Sequence, residues 1–352
     1  MLHAPWYDPS KDYETNFVSG PSGDFTQATF EEGEASYDFF GKPLLFPFGI
    51  PAGPLLNSDY VVPALDRRFD VTVYKTVRTH AYPAHPHPNV VPVSVEDDLT
   101  LERASQGVLV RDTFSEPLSI TNSFGVPSKD PSFWQEDMRK AVEHARPGQH
   151  VVGSFQGTKW PGASSDDYIQ DWVTASKLVQ ETGVSAIEAD LSCPNEDSTN
   201  LLCYDLEKTR LISEKIKNAI GNLPLIAKIG YFGDEELREF VKLLGGTLDG
   251  IAAVNAIAAD VRDSSGNQAL PGKGRLKSGI CGASIKWAGL SMTRRLFALR
   301  QEMGHSYTII GVGGVTAPKD YKEYRASGAD VVMSATGAMW NQNLAREIQN
   351  HE

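Results

Sequence analysis

The stretch Val184-Ser185-Ala186-Ile187-Glu188-Ala189-Asp190-Leu191-Ser192-Cys193-Pro194-Asn195 passes from a short apolar run straight into a polar loop. Residues 184–190 have the length and composition of a buried strand, and Pro194 forces the backbone out of it. Cys193 therefore stands at the carboxyl end of a strand, between Ser192 and Asn195. In an α/β barrel that end carries the active site, whereas the opposite end serves stability.

The same texture recurs along the chain. Strand-like runs at 43–50, 71–77, 150–155, 184–190, 225–229, 250–255, 308–312 and 329–334 alternate with amphipathic stretches near 58–69, 131–144, 165–181, 204–220, 234–244, 284–303, 318–327 and 337–349. Ser58 is expected to cap the first of these helices. Eight apolar strands, each followed by a helix and buried on both sides, predict an α/β fold of the (β/α)8 TIM-barrel type. A doubly wound sheet is the competing fold. It is disfavoured because no G-x-G-x-x-G follows an early strand, and Gly311-Val312-Gly313-Gly314 lacks the third glycine. The proline-rich segment 78–119, with Val90-Val91-Pro92-Val93 and Gly107-Val108-Leu109-Val110, predicts β-hairpins inserted near the barrel mouth. Residues 1–38 show no period and are expected to form a partly ordered N-terminal extension to a barrel domain at 39–352.

Composition limits what the chain does. Its 352 residues, 41% hydrophobic and 22% charged, are ordinary for a globular protein. A net charge of -12 argues against nucleic acid or an anionic membrane as partner. No 18-residue apolar run and no leader pattern is present, so a cytoplasmic location is expected. Three cysteines without C-x-x-C spacing predict a reducing compartment, with Cys203 and Cys281 structural. No metal is expected, because His80, His85 and His87 have no suitably spaced acidic neighbour.

The chemistry concentrates at strand ends. Gly311-Val312-Gly313-Gly314-Val315 and Ser334-Ala335-Thr336-Gly337-Ala338 close the last two strands, where barrels often bind phosphate through backbone amides and a helix N-terminus. Lys75 and Lys228 each end an otherwise apolar strand, and a lysine so placed calls for an anionic partner. A thiol at Cys193, assisted by such cations, can act as a general base near neutral pH.

On these residues the chain resembles the dihydroorotate dehydrogenase family of FMN-dependent barrels, from about Tyr37 to Asn343. The motifs are Pro51-Ala52-Gly53-Pro54, Tyr74-Lys75-Thr76-Val77, Asn122-Ser123-Phe124-Gly125-Val126-Pro127, Leu191-Ser192-Cys193-Pro194-Asn195, Ala227-Lys228-Ile229, Val254-Asn255, Gly279-Ile280-Cys281-Gly282 and the two glycine loops. The resemblance implies FMN, with its phosphate on Gly313, Gly314, Ala335 and Thr336 and with Lys228 near the part of the ring that becomes anionic on reduction. Ala52, Gly53, Lys75, Thr76, Asn122, Asn255, Gly279 and Gly282 would complete the flavin shell. It further implies Cys193 as the base of the soluble branch and a substrate site of Lys75, Asn122, Phe124, Gly125, Val126, Asp190, Asn195, Asn255 and Ala256. A homodimer follows by the same analogy, as does a separate electron acceptor or partner subunit.

Two substrate-side positions depart from the family pattern. Asp190 stands where asparagine is usual, and Ala256 where serine often follows Asn255. Ionised, Asp190 only accepts hydrogen bonds, whereas an amide both donates and accepts. The expected function is oxidation of dihydroorotate to orotate in pyrimidine biosynthesis. The alternatives are the same flavin chemistry on another cyclic dihydropyrimidine-like or enone or amide substrate, and a phosphate-binding barrel without redox chemistry.

Overall fold

The computed structural model describes residues 2–27, 30–192 and 201–352. Eight parallel strands close into a barrel in chain order: β1 (Phe48–Ile50), β2 (Val71–Val77), β3 (His150–Phe155), β4 (Ala186–Asp190), β5 (Leu225–Ile229), β6 (Gly250–Ala253), β7 (Thr308–Val312) and β8 (Val331–Met333). Pairing of Val332 with Phe48 completes the ring. The TIM barrel expected from the alternation is therefore the observed fold.

Alternation along each strand sorts the side chains. Val71, Val73, Val152, Ala186, Ile226, Ala252, Ile310 and Val331 fill the barrel interior, while Ile187, Ala189, Ala227 and Ile251 face the outer helices. The amino-terminal end is plugged by an antiparallel pair, Tyr37–Phe39 with Lys42–Leu44, whose Phe39 and Leu44 join the interior cluster. The run read as one strand at 43–50 is thus two elements.

Helices follow the strands as expected, with local corrections. The first helix of the barrel is α1 (Ser58–Asp66), and Asn57 rather than Ser58 is its N-cap. Ser58 instead turns inward, where its amide and hydroxyl donate to Asp137 at 2.7 and 2.6 Å. The helix read at 337–349 is broken into Thr336–Trp340 and Leu344–Gln349.

The inserted segments build one structure over the mouth. Strands Val90–Pro92, Val108–Leu109 and Ser119–Asn122 come from the first insert, and Ile257–Arg262 and Lys277–Gly282 from a second one after β6. Together they form a five-stranded sheet, so the expected hairpins are a sheet shared between distant segments. The N-terminal residues pack on the barrel flank: Trp6, Tyr7, Tyr13, Phe17 and Phe25 are buried in the outer core, and Trp6 stacks on Phe25 at 4.2 Å. Among the described residues no helix is long and apolar enough to cross a membrane.

Candidate active site

The carboxyl ends of the strands converge under the five-stranded sheet. Register places Lys228 beside Asp190 on β5 and β4. Both lie on the interior face, and Lys228 Nζ crosses to the carbonyl of Ala52 at 3.1 Å. On β2 the ladder with β3 shifts register between Tyr74 and Val77. That irregularity lets two successive residues serve the interior, Lys75 by alternation and Thr76 through a 3.0 Å contact of its hydroxyl with Ser154 Oγ. Lys75, Asp190 and Lys228 are all about nineteen-twentieths buried, with exposures of 5%, 5% and 6%. Asp190 Oδ1 accepts from the hydroxyl and amide of Ser192, at 2.8 and 3.3 Å, which closes a tight turn at the strand end.

One layer deeper on the same face sits Glu188, 1% exposed. Burial pushes its carboxyl up to about 7, against the attraction of Lys228 and a hydrogen bond from Ser154 and with the repulsion of Asp190. The barrel mouth therefore holds two lysines and two carboxyl groups away from bulk water.

Across the mouth, Asn122, Asn255 and Cys281 come together. Asn122 Nδ2 donates to Cys281 Sγ at 3.6 Å, and that thiol faces the Asn255 carbonyl at 3.8 Å. Burial raises the Cys281 pKa to about 11, so the thiol stays protonated near neutral pH. Gly279 lies against Ala256, where an added Cβ would approach the alanine methyl to 2.8 Å. Gly282, at φ +98, leaves no room for a side chain, since a Cβ would stand 2.3 Å from the Leu118 carbonyl.

The loop 122–127 is tied down from several sides. Asn89 Nδ2 donates to the carbonyls of His85 and Ser123 at 3.0 and 3.1 Å. Arg275, 4% exposed, donates to the carbonyls of Pro86, Pro88, Pro271 and Ser123, and Nε reaches Ser123 Oγ at 3.2 Å. The His85 ring covers Gly125, whose φ of +80 and lack of Cβ permit that approach. Phe124 packs between Tyr7 and Tyr13, at 5.4 and 5.7 Å between ring centres. Val126 has φ 50, rare for a β-branched residue, and its carbonyl accepts from Arg78 Nε at 3.0 Å.

The two glycine loops lie side by side after β7 and β8. Ser334 Oγ donates to Val315 O at 2.6 Å and accepts from the Ala338 amide at 3.0 Å. Gly313 and Gly314 have φ +123 and +69, and a Cβ on Gly314 would meet Lys286 at 2.6 Å. Ala335 precedes Thr336, the first residue of the short helix, whose opening amides have no partner within the helix. Ala52 and Gly53, the latter at φ +137, follow β1 on the same rim.

Cys193 and Asn195 lie outside the described residues. The other expected residues gather around this one mouth. Residue type alone does not point to Ser154, Gln156, Glu188 or Arg275, and Cys281, expected to be structural, faces the mouth beside Asn122 and Asn255. For Ser154 and Glu188 the signal was present, since each is polar and in phase with interior positions of its strand.

The sequence matches the family described as dihydroorotate dehydrogenase over residues 107–351. Dihydroorotate dehydrogenase of Dictyostelium discoideum is 31% identical over 365 aligned residues, covering 99% of this chain and 98% of the relative. The chain belongs to the dihydroorotate dehydrogenase family. The catalytic subunit of dihydroorotate dehydrogenase B (NAD(+)) from Thermoplasma volcanium is 26% identical, covering 70% of this chain and 77% of that protein. The NAD-dependent dihydropyrimidine dehydrogenase subunit PreA of Escherichia coli is 28% identical, covering 48% and 42%. The family comprises FMN-dependent oxidoreductases, some of them catalytic subunits that work with other chains.

The residues at the mouth of this barrel fit FMN. Two buried lysines suit a ring that takes on negative charge. Paired glycine loops, too close for a Cβ at Gly314 or Gly337, meet beside a helix start as a phosphate requires.

Proposed function

We propose that this chain oxidises dihydroorotate to orotate with FMN, and so serves pyrimidine biosynthesis. The observation that carries the proposal is the convergence of Lys75, Asn122, Lys228 and Asn255 on one barrel mouth, in a chain whose similarity to the Dictyostelium dehydrogenase runs nearly end to end.

FMN, when bound, supplies the hydride acceptor. The glycine loops, with Thr336, would hold its phosphate, and Lys228 would supply positive charge to its ring. Ala52, Gly53, Thr76, Gly279 and Gly282 line the remaining wall. Asn122 and Asn255 orient the substrate ring, the Phe124-Gly125-Val126 loop closes over it, and Lys75 and Ala256 border it. Asn195, which follows β4 in the sequence, is a further substrate-binding residue. Cys193 removes a proton from one ring carbon while the adjacent carbon gives up hydride, so the substrate loses two hydrogens and gains a double bond. Water is excluded by the loop that Arg275 and Asn89 hold in place.

The protein acts in the cytoplasm as a homodimer and passes its electrons to a separate acceptor. The test is appearance of orotate, followed by its conjugated absorbance, when purified protein is given dihydroorotate and an artificial electron acceptor. Sustained turnover is expected; its absence in flavin-loaded protein would refute the substrate assignment.

A further inference from the structure

Just past the end of β3 and on the interior face of β4, two side-chain oxygens have no hydrogen-bond partner among the described residues: Gln156 Oε1 and Glu188 Oε1. Both residues are more than nine-tenths buried, at 5% and 1% exposure. Neighbours fix the direction of Gln156. Phe155 packs its ring on Trp172 of the outer layer, and a Cβ added at Gly157 would strike the same indole at 2.3 Å. The residue between them therefore faces the barrel interior. Phe155 pairs with Ala189, so Gln156 stands beside Asp190, and Ser154 pairs with Glu188 one layer below.

A buried amide oxygen without a partner is rare in folded chains and marks a place where a further group binds. The carboxamide offers one acceptor and two donors, and Asp190 beside it offers an acceptor. Such a set matches an N–H flanked by carbonyl groups.

We propose that Gln156 is a specificity-determining residue of this mouth, its carboxamide reading the N–H and C=O edge of a cyclic imide or ureide bound next to Asp190. The proposal rests on the functional reading above, which brings two rings of that chemistry to the site: the pyrimidine portion of FMN and the substrate.

Gln156→Met keeps the length of the side chain and removes the amide. Since the variant buries no unpaired oxygen, the apoprotein should melt at the same temperature or higher. FMN affinity is then read by quenching of free flavin fluorescence, and orotate affinity by the change in absorption of bound FMN. A loss of about tenfold in FMN affinity assigns the amide to the flavin edge. A similar loss for orotate alone, with FMN binding intact, assigns it to the substrate. Equal affinities of wild type and variant for both ligands overturn the proposal. A wild-type protein that takes up no FMN overturns the functional reading and this proposal with it. Gln156→Asn, whose amide falls one methylene short, gives the same comparison if the methionine variant does not fold.

Discussion

Lys228 Nζ donates to the carbonyl oxygen of Ala52 at 3.1 Å, tying the end of β5 to the loop after β1 across the barrel mouth. The ammonium sits beside Asp190 by register and is almost wholly buried. Reduction adds negative charge to a flavin held there, and a fixed cation favours the reduced state. Lys228→Met should therefore lower the two-electron potential of bound FMN by about 30 mV or more, equivalent to about 1.4 kcal/mol. Spectroelectrochemical titration checks this, and an unchanged potential would remove Lys228 from the flavin's surroundings.

Glu188 gives a pH signature in stability. Its carboxyl rises from an ordinary 4.5 to about 7 on folding, chiefly through burial. The folded chain thus binds this proton more tightly than the unfolded chain does, and the contribution is complete only below about pH 4.5. It is lost as pH rises through 7, by at most about 3 kcal/mol. Glu188→Gln cannot titrate and resembles the neutral acid. Its urea midpoint, relative to wild type, should climb between pH 5 and pH 8. Parallel profiles would mean that Glu188 is already ionised at pH 5.

Arg275 tests how far the substrate loop depends on its anchors. Its guanidinium serves several backbone carbonyls in a fork that an ammonium does not reproduce. Arg275→Lys should raise KM for dihydroorotate about five- to tenfold with a smaller change in kcat, because the residue positions the 122–127 loop without touching the reacting atoms. A fall in kcat with KM unaltered would contradict that role.

The barrel was legible because its eight strands are short apolar runs spaced by amphipathic helices, and parity along 184–190 already put Glu188 and Asp190 on one face. The shared sheet was not. Pairing of Ser119–Asn122 with Lys277–Gly282 joins segments more than 150 residues apart, and local propensity carries no information on such a register. The burial of Trp6 and Phe25 was hidden for a similar reason, since scattered aromatics with no period find their partners only in the tertiary fold. In the site, lysines ending apolar strands and paired glycine loops announced themselves by residue type. Arg275 did not, because its partners are carbonyl oxygens, which no side-chain pattern reveals. Gln156 lies one residue beyond its strand, where only the outward-facing Phe155 and Gly157 define its direction.

Cys193→Ala should retain the flavin absorbance and slow flavin reduction by dihydroorotate about a hundredfold or more, the scale of a lost positioned base. Stopped-flow absorbance under anaerobic conditions measures both. Loss of the flavin itself would point to a structural part for the thiol.

Oxidation of dihydroorotate in this barrel proceeds with Asp190 in place. Its most direct test is anaerobic addition of dihydroorotate to the FMN-loaded protein, with dihydrouracil in a parallel cuvette. Such oxidation requires bleaching of the flavin by dihydroorotate at about 1 per second or faster, and none on that timescale by dihydrouracil. A yellow protein that dihydroorotate leaves unbleached would contradict it.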